Sequence, residues 1–201
     1  MNLNYITHMA RLESDYNSMQ QIKGEVIKWE GMPPANPTQK TYPNKYRITY
    51  NILAPTVRGD LPQHIVEIDC SSLHYPGHPP GVRFTTPRVK HPHIFEDSNV
   101  CLGGFPLEES LAELCVRLAR FLQYDPDTIN LNSAVNADLK NWYLHNRHRF
   151  PIDHSPLPRL GEESGGFKKK AIRQAPRLPL NEVPGKITVK RQRPGDNYSP
   201  H

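Results

Sequence analysis

The spacing of apolar residues near the start of the chain predicts an amphipathic helix. Apolar side chains recur there at intervals of three and four residues, the repeat of one helix face, while polar residues occupy the other faces. We expect the helix to end before Gly24 and its apolar face to pack on a sheet. That face consists of Tyr5, Met9, Leu12, Tyr16 and Met19.

An alternating pattern follows this helix and predicts four short strands. The clearest period of two covers 46–52, where tyrosine and isoleucine side chains alternate with polar ones. Strands are also expected over 24–30 and 65–70, with an edge strand over 82–85. Short strands separated by turns, with no helix between them, indicate an antiparallel meander.

Farther along the chain the apolar period becomes that of a helix. One helix has acidic residues in its first turn and arginines later, the order that a helix dipole favours. Its apolar face consists of Leu111, Leu114, Cys115, Leu118 and Leu122. A last helix, capped by Asn132 or Ser133 and ending at Pro151, has the stripe Val135, Leu139, Trp142 and Phe150. A helix, a four-stranded meander and C-terminal helices make an α+β fold.

Charge and proline content change near residue 154. Residues 1–158 carry 15 Lys and Arg against 16 Asp and Glu, whereas residues 159–201 carry ten against four. The segment 154–201 contains seven prolines and few large apolar residues. Such a segment buries too little surface to offset the entropy of ordering. We therefore predict a folded domain over 1–153 and a disordered basic tail over 154–201.

Three cysteines are present, without paired or zinc-binding spacing. Cys70 and Cys115 fall on predicted apolar faces, where a free cysteine packs as a small hydrophobic residue. Cys101 differs, because Asn99 and the pair Gly103-Gly104 predict a loop around it. With no signal peptide and no apolar run near 18 residues, we expect a cytoplasmic protein and no membrane partner.

The segment that leads to Cys101 has the most specific pattern in the chain. From Tyr75 to Leu102 it contains Y-P-G-H-P-P, then F-T-T, then H-P-H and finally C-L. The proline clusters hold the chain extended, because proline fixes φ and donates no backbone hydrogen bond. At this spacing the elements resemble the active-site region of ubiquitin-conjugating enzymes.

The resemblance implies a ubiquitin-conjugating-enzyme-like fold over 1–153 and thioester chemistry at Cys101. In that family the cysteine takes the C-terminus of ubiquitin or a ubiquitin-like protein from an activating enzyme. It then transfers this acyl group to an amine, usually a lysine of a protein substrate. Cysteine suits both steps because its thiolate attacks readily and leaves readily. No metal and no cofactor are expected.

The resemblance also implies supporting residues around the cysteine. His91 and Pro92 are expected to brace the loop. His93 stands where the family has an asparagine that donates to the oxyanion or shapes the loop, and one such donor contributes roughly 3 kcal/mol. Imidazole can fill this role if its tautomer and reach permit. Asn130 lies nearest to the family's gate position over the cysteine.

Departures from the family pattern point to a divergent member. Members that dock RING ligases often have an aromatic residue after Y-P, where this chain has Gly77, so a RING ligase is not an expected partner. The family's tryptophan after C-L is also absent. With these departures, His93 and the unusual tail, the chain resembles divergent members of the family, including those of bacterial conjugation operons linked to antiphage defence.

Other functions stay open. A catalytically silent variant of the same fold would bind a ubiquitin-like protein non-covalently, although silent members usually lack the cysteine. An adaptor would contact nucleic acid phosphates through its basic tail. A metal cluster is disfavoured, because proline-stiffened loops rarely bring histidines together by chance. The histidines concerned are His74, His78, His91 and His93.

Overall fold

The structure, a computed structural model, describes residues 3–32 and 42–160. Its helices are α1 (Leu3–Met19), α2 (Leu111–Leu122) and α3 (Ala137–Asn146). Its strands are β1 (Ile27–Met32), β2 (Lys45–Tyr50), β3 (Ala54–Thr56), β4 (Gly59–Leu61), β5 (His64–Asp69) and β6 (Gly81–Phe84). The predicted α+β order of an N-terminal helix, strands and C-terminal helices is confirmed.

Four strands form one antiparallel sheet in the order β1-β2-β5-β6. Ile48 of β2 pairs with Val66 of β5, which pairs with Phe84 of β6, and all three side chains are buried. The predicted four-stranded antiparallel sheet is therefore confirmed. Its first strand starts later than predicted, because the N–H of Gly24 donates to the carbonyl of Ile27 at 2.8 Å and closes a turn.

Along the chain, β2 and β5 are connected by a short hairpin of β3 and β4, which forms a separate two-stranded sheet. The sequence pattern predicts no strand in this connection. Each strand has only three residues, including Pro55 in β3 and Gly59 in β4. Such short strands do not show an alternation of apolar and polar residues that the sequence pattern could report. Gly59 has a φ of +106°, a conformation that L side chains rarely adopt. The hydroxyl of Thr56 donates to the carbonyl of Gly59 at 2.7 Å and closes the turn.

Helix α2 buries its predicted apolar face, as all five residues of the stripe are buried. Ser110 and Glu113 form a capping box at its start, with the Ser110 N–H donating to the Glu113 carboxylate at 2.7 Å. The hydroxyl of Tyr50 donates to the carbonyl of Cys115 at 3.0 Å. This bond joins α2 to the central strand β2.

Helix α1 buries its predicted face in part, since Leu12 and Met19 are buried and Met9 packs against the core. Its buried residues are His8, Leu12, Asp15 and Met19. Tyr5 is 41% exposed, so its predicted place on the buried face is wrong. The apolar pattern also misses Asp15, a charged residue on the buried face. That carboxylate is accommodated by pairing with Arg11 at 3.0 Å and with the hydroxyl of Tyr75 at 2.5 Å.

Helix α3 begins later and ends earlier than predicted. Asn136 caps it, and the predicted caps Asn132 and Ser133 lie instead in a preceding 3-10 turn. The predicted stripe also runs past the end of the helix. Its last member, Phe150, stacks on Tyr124 with 3.9 Å between ring centroids. Both boundaries are set by side-chain caps and turns that apolar spacing does not report.

Residues 154–160, the last ones that the structure describes, belong to the folded domain. Leu157 and Leu160 pack against the core, although the sequence pattern assigns 154–160 to the tail. The rest of the predicted disordered tail, 161–201, lies outside the described residues. None of the described helices is long and apolar enough to cross a membrane.

Candidate active site

Backbone hydrogen bonds hold the H-P-H and C-L motifs side by side. The N–H of Cys101 donates to the carbonyl of His93 at 2.8 Å, and Ile94 and Val100 form an antiparallel bridge next to it. The chain turns between them at Ser98, which has a φ of 69°. The spacing of eight residues between His93 and Cys101 therefore places the thiol beside the H-P-H segment.

Pro92 anchors this loop to the start of α3. Its carbonyl oxygen accepts hydrogen bonds from the N–H of Val135 at 3.0 Å and of Asn136 at 3.2 Å. Asn136 is also the N-cap of α3, so the loop is fixed to a helix terminus. The proline is buried and does not line the cleft at Cys101.

Cys101 is partly exposed and lines a cleft of about 620 Å³. The cleft is bounded by the loop after the cysteine and by α2. Among its lining residues are His93, Gly103, Arg117, Phe121, Asn130 and Leu160. Gly103 has a φ of +63°, which suits glycine and turns the chain after the thiol. The structure thus brings the predicted residues Cys101, His93 and Asn130 to one cleft.

The two other thiols are enclosed in the core. Cys70 and Cys115 are both 0% exposed. Burial raises the pKa of Cys115 to about 12 and raises the pKa of Cys70 further. Because the thiolate is the reactive form, both residues are disfavoured as nucleophiles near neutral pH.

His93 connects the cysteine loop to the loop that follows α2. Its Nε2 accepts a hydrogen bond from the backbone N–H of Asn130 at 3.1 Å. Its ring is 6% exposed, and burial lowers the pKa of His93. A neutral imidazole whose Nε2 accepts carries its proton on Nδ1. The remaining N–H of the ring is therefore on Nδ1.

His91 lies deeper and does not line the cleft. Its ring is fully buried against Phe121, with 3.3 Å between centroids, and burial lowers the pKa of His91 well below its usual value. Its Nδ1 accepts the backbone N–H of His93 at 3.2 Å. Its Nε2 has no hydrogen-bond partner among the described residues. This arrangement suits a ring that shapes the loop, because the imidazole has no access to a substrate.

Asn130 lies exposed at the edge of the cleft, and its side chain is committed to a local turn. Its Oδ1 accepts the N–H of Asn132 at 3.0 Å and caps the 3-10 turn Leu131–Ser133. The link from Asn130 to His93 uses the backbone N–H alone. The predicted gate residue therefore contacts His93 through its backbone and not through its side chain.

Arg117 also belongs to the cleft, and the sequence pattern identifies it only as a helix-dipole residue. Its guanidinium donates to both carboxylate oxygens of Glu109 at 2.7 Å and to the carbonyl of Leu102 at 2.9 Å. Arg117 thus ties the residue after Cys101 to α2. No sequence signal indicates this role, because it depends on a contact across 15 residues.

Within residues 3–32 and 42–160, no three His, Cys, Asp or Glu side chains come close enough together to hold a metal ion. The four histidines of the Tyr75–Leu102 region and its flank form two ring pairs. His74 stacks on His78 at 5.2 Å, and His91 lies 5.7 Å from His93.

No family model matches the chain, and a search of curated proteins finds no match.

Proposed function

We propose that the protein conjugates a ubiquitin-like modifier and has a ubiquitin-conjugating-enzyme-like fold. The observation that carries the proposal is the location of the thiols. Cys101 is partly exposed in a cleft, whereas Cys70 and Cys115 are fully buried. The pairing of the C-L and H-P-H motifs across the loop supports the same reading.

The reaction has two acyl transfers. The thiolate of Cys101 attacks the carbonyl of the modifier's C-terminal thioester on an activating enzyme. A new C–S bond forms, the old one breaks, and the activating enzyme's thiolate leaves. A lysine amine of a protein substrate then attacks the same carbonyl. The C–N bond forms, the C–S bond breaks, the amine proton passes to solvent, and Cys101 is released.

The surrounding residues have positioning roles in this scheme. Arg117 holds the carbonyl of Leu102, and His93 holds the backbone of Asn130 at the edge of the cleft. The Nδ1–H of His93 is the candidate donor to the oxyanion that forms when the amine attacks. A donor placed where charge develops lowers the barrier by roughly 3 kcal/mol.

A RING ligase is not among the proposed partners. The residue after Tyr75-Pro76 is Gly77, which offers no aromatic anchor to a ligase groove. A Cβ at this position would lie 3.1 Å from the carbonyl oxygen of His74, so a side chain there requires a small shift of the loop.

The proposal is tested by intact mass after incubation with the cognate activating enzyme, modifier and ATP. We expect an adduct that a thiol reductant removes and that free lysine discharges. An adduct that lysine does not discharge would contradict the transfer step. Absence of any adduct, with the modifier still bound, would favour the silent variant. The nucleic-acid adaptor depends on the basic tail 154–201, of which residues 161–201 lie outside the described residues.

A further inference from the structure

The backbone at Cys101 is anchored by a hydrogen bond on each side of the thiol. Its own N–H donates to the carbonyl of His93 at 2.8 Å. The carbonyl of the next residue, Leu102, accepts from Nη1 of Arg117 at 2.9 Å. Because a peptide unit is planar, the bond to this carbonyl fixes the whole plane that leads into Gly103. The direction in which the cysteine side chain leaves the loop depends on these two anchors.

Packing does not hold the chain that follows Leu102. Gly103 and Gly104 come next, and a Cβ on either glycine would meet no atom within 4 Å. Glycine also has more backbone freedom than any other residue. The hydrogen bond from Arg117 to Leu102 is therefore a restraint for which packing offers no substitute.

Glu109 determines the direction of that hydrogen bond. Its two carboxylate oxygens accept from Nε and Nη2 of Arg117, both at 2.7 Å. The guanidinium is planar and its donors have a fixed geometry, so a carboxylate that takes this edge also fixes where Nη1 points. The side chains of Glu109 and Arg117 are 12% and 32% exposed, which limits screening of the pair by solvent.

Glu109 is itself held from helix α1. Its carbonyl oxygen accepts from Nη2 of Arg11, and Nη1 of the same guanidinium donates to the carbonyl of Leu107 at 2.7 Å. Nε of Arg11 donates to both oxygens of Asp15 at 3.0 Å. A series of hydrogen bonds thus runs from α1 through Glu109 and Arg117 to the residue after the thiol.

We propose that Glu109 is a positioning residue for Cys101, which aims Arg117 at the carbonyl of Leu102 and keeps the thiol oriented for acyl transfer. This inference rests on the proposed function, in which Cys101 takes up an acyl group. Displacing a reacting group by about 1 Å can slow a reaction by roughly 100-fold. Loss of the Glu109 carboxylate should therefore slow acyl transfer to Cys101 while the thiol stays accessible.

The test uses the full-length protein and a fluorescent peptide whose C-terminal glycine is activated as a mercaptoethanesulfonate thioester. The thiolate of Cys101 attacks the thioester carbonyl, a new C–S bond forms, the old one breaks, and mercaptoethanesulfonate leaves as its thiolate. No activating enzyme is needed. Intact mass gives the rate constant for this reductant-sensitive adduct. Alkylation of Cys101 by iodoacetamide is measured in parallel, because it requires an accessible thiolate but no thioester in the cleft.

Wild type is compared with Glu109→Gln, Arg117→Lys, the double variant that combines them, and two controls. Glu109→Gln keeps the size of the side chain but replaces one acceptor oxygen by an amide nitrogen. Arg117→Lys keeps the charge and loses the fork. The matched control Glu67→Gln makes the same chemical change in an exposed ion pair, 3.2 Å from Arg47 on the sheet. Cys101→Ala gives the background of each reaction.

Glu109→Gln and Arg117→Lys should each slow acyl transfer at least about fivefold, while alkylation of Cys101 changes by less than about twofold. Because both residues act through one hydrogen bond, the double variant should be at most about twofold slower than the slower single variant. Glu67→Gln should change both rates by less than about twofold. A general loss of structure would instead change alkylation and acyl transfer together.

Three results would overturn the positioning role and leave the proposed function standing. The first is acyl transfer in Glu109→Gln as fast as in wild type. The second is a loss in the double variant equal to the product of the two single losses, and the third is an equal change in alkylation and acyl transfer. Failure of wild-type Cys101 to take up the peptide, although iodoacetamide alkylates it, would overturn both proposals.

Discussion

The Nε2 of His93 lies 3.1 Å from the backbone N–H of Asn130 and accepts its hydrogen bond. These residues are 37 positions apart, and the bond connects the loop of the candidate nucleophile to the loop after α2. Because Nε2 is used in this way, His93 could act in the proposed reaction in two ways, by holding that loop or by donating from Nδ1. Either role would affect transfer of the acyl group to an amine more than loading of the Cys101 thiol, so the two steps can be measured separately.

The first prediction concerns His93→Ala. Removing the ring leaves the N–H of Asn130 without its acceptor and removes the Nδ1 donor, so transfer to an amine should slow by roughly 100-fold, equivalent to about 2.7 kcal/mol. Loading of Cys101 should change by less than about threefold. Single-turnover loading and discharge assays measure the two steps.

His93→Asn is the matched control, since its side-chain oxygen can accept and its amide can donate. We expect it to recover part of the discharge rate. Equal slowing of loading and discharge in His93→Ala would indicate collapse of the loop. No change in either step would remove His93 from the mechanism.

A second prediction concerns pH. Burial lowers the pKa of His64, His91 and His93 in the folded protein. In the unfolded chain these groups titrate near pH 6.5, so below that pH the unfolded state binds more protons. The free energy of unfolding should therefore be constant above about pH 6.5 and fall as the pH decreases below it, by at most about 1.4 kcal/mol per pH unit for each group.

Urea unfolding between pH 5 and pH 8 measures this dependence, with pH values chosen to span the unfolded titration. Replacing His91 by Asn should reduce the slope below about pH 6.5. Replacing the exposed His148 by Gln should leave it unchanged. Stability that rises on acidification through this range would show that the histidines are not buried in their neutral form.

The third prediction concerns Asp15, whose side chain is 1% exposed. It accepts from Arg11, from the hydroxyl of Tyr75 at 2.5 Å and from the N–H of Leu111 at 2.9 Å. Asp15→Ala would remove the carboxylate partner of Arg11, which keeps its bonds to the carbonyls of Leu107 and Glu109. It would also leave the Tyr75 hydroxyl and the Leu111 N–H without this acceptor. We expect a loss of about 3–5 kcal/mol in the free energy of unfolding.

The control for Asp15 is an exposed ion pair on the sheet. Arg47 lies 3.2 Å from Glu67, and the side chains are 47% and 39% exposed. Because solvent screens such a pair, Arg47→Ala should cost less than about 1 kcal/mol. Urea unfolding of both variants provides the comparison. Equal losses would mean that the Asp15 cluster contributes no more than a surface contact.

Comparison of these elements indicates what the sequence could predict. The prediction of the buried face of α2 is correct because every member of that face is apolar. The spacing of Cys101 from His93 correctly indicates that a loop brings the two residues together. The prediction for α1 is correct for Leu12 and Met19 and misses the buried Asp15, because Asp15 pairs with a residue 60 positions away, which no local pattern reports. The hairpin β3–β4 is too short to show a period. Arg117 and Leu160 reach the cleft only through tertiary contacts.

The fourth prediction concerns the end of the domain. Truncation after Leu160 should leave the melting temperature nearly unchanged, because the proline-rich composition of 161–201 offers little apolar surface to bury. Truncation after residue 153 also removes Leu157 and Leu160, which pack against the core, and should lower the melting temperature by several degrees. Differential scanning calorimetry measures both. The same melting temperature for both truncations would place the boundary at 153, as the sequence suggests.

The central claim is that Cys101 forms the thioester. The decisive measurement is intact mass of wild type, Cys101→Ala, Cys101→Ser and the double variant Cys70→Ala, Cys115→Ala after incubation with the activating enzyme, modifier and ATP. We expect a reductant-sensitive adduct in the wild type and the double variant, and none in Cys101→Ala. Cys101→Ser should give a slow, reductant-resistant ester, because an alkoxide leaves less readily than a thiolate. An adduct that persists in Cys101→Ala would contradict the account.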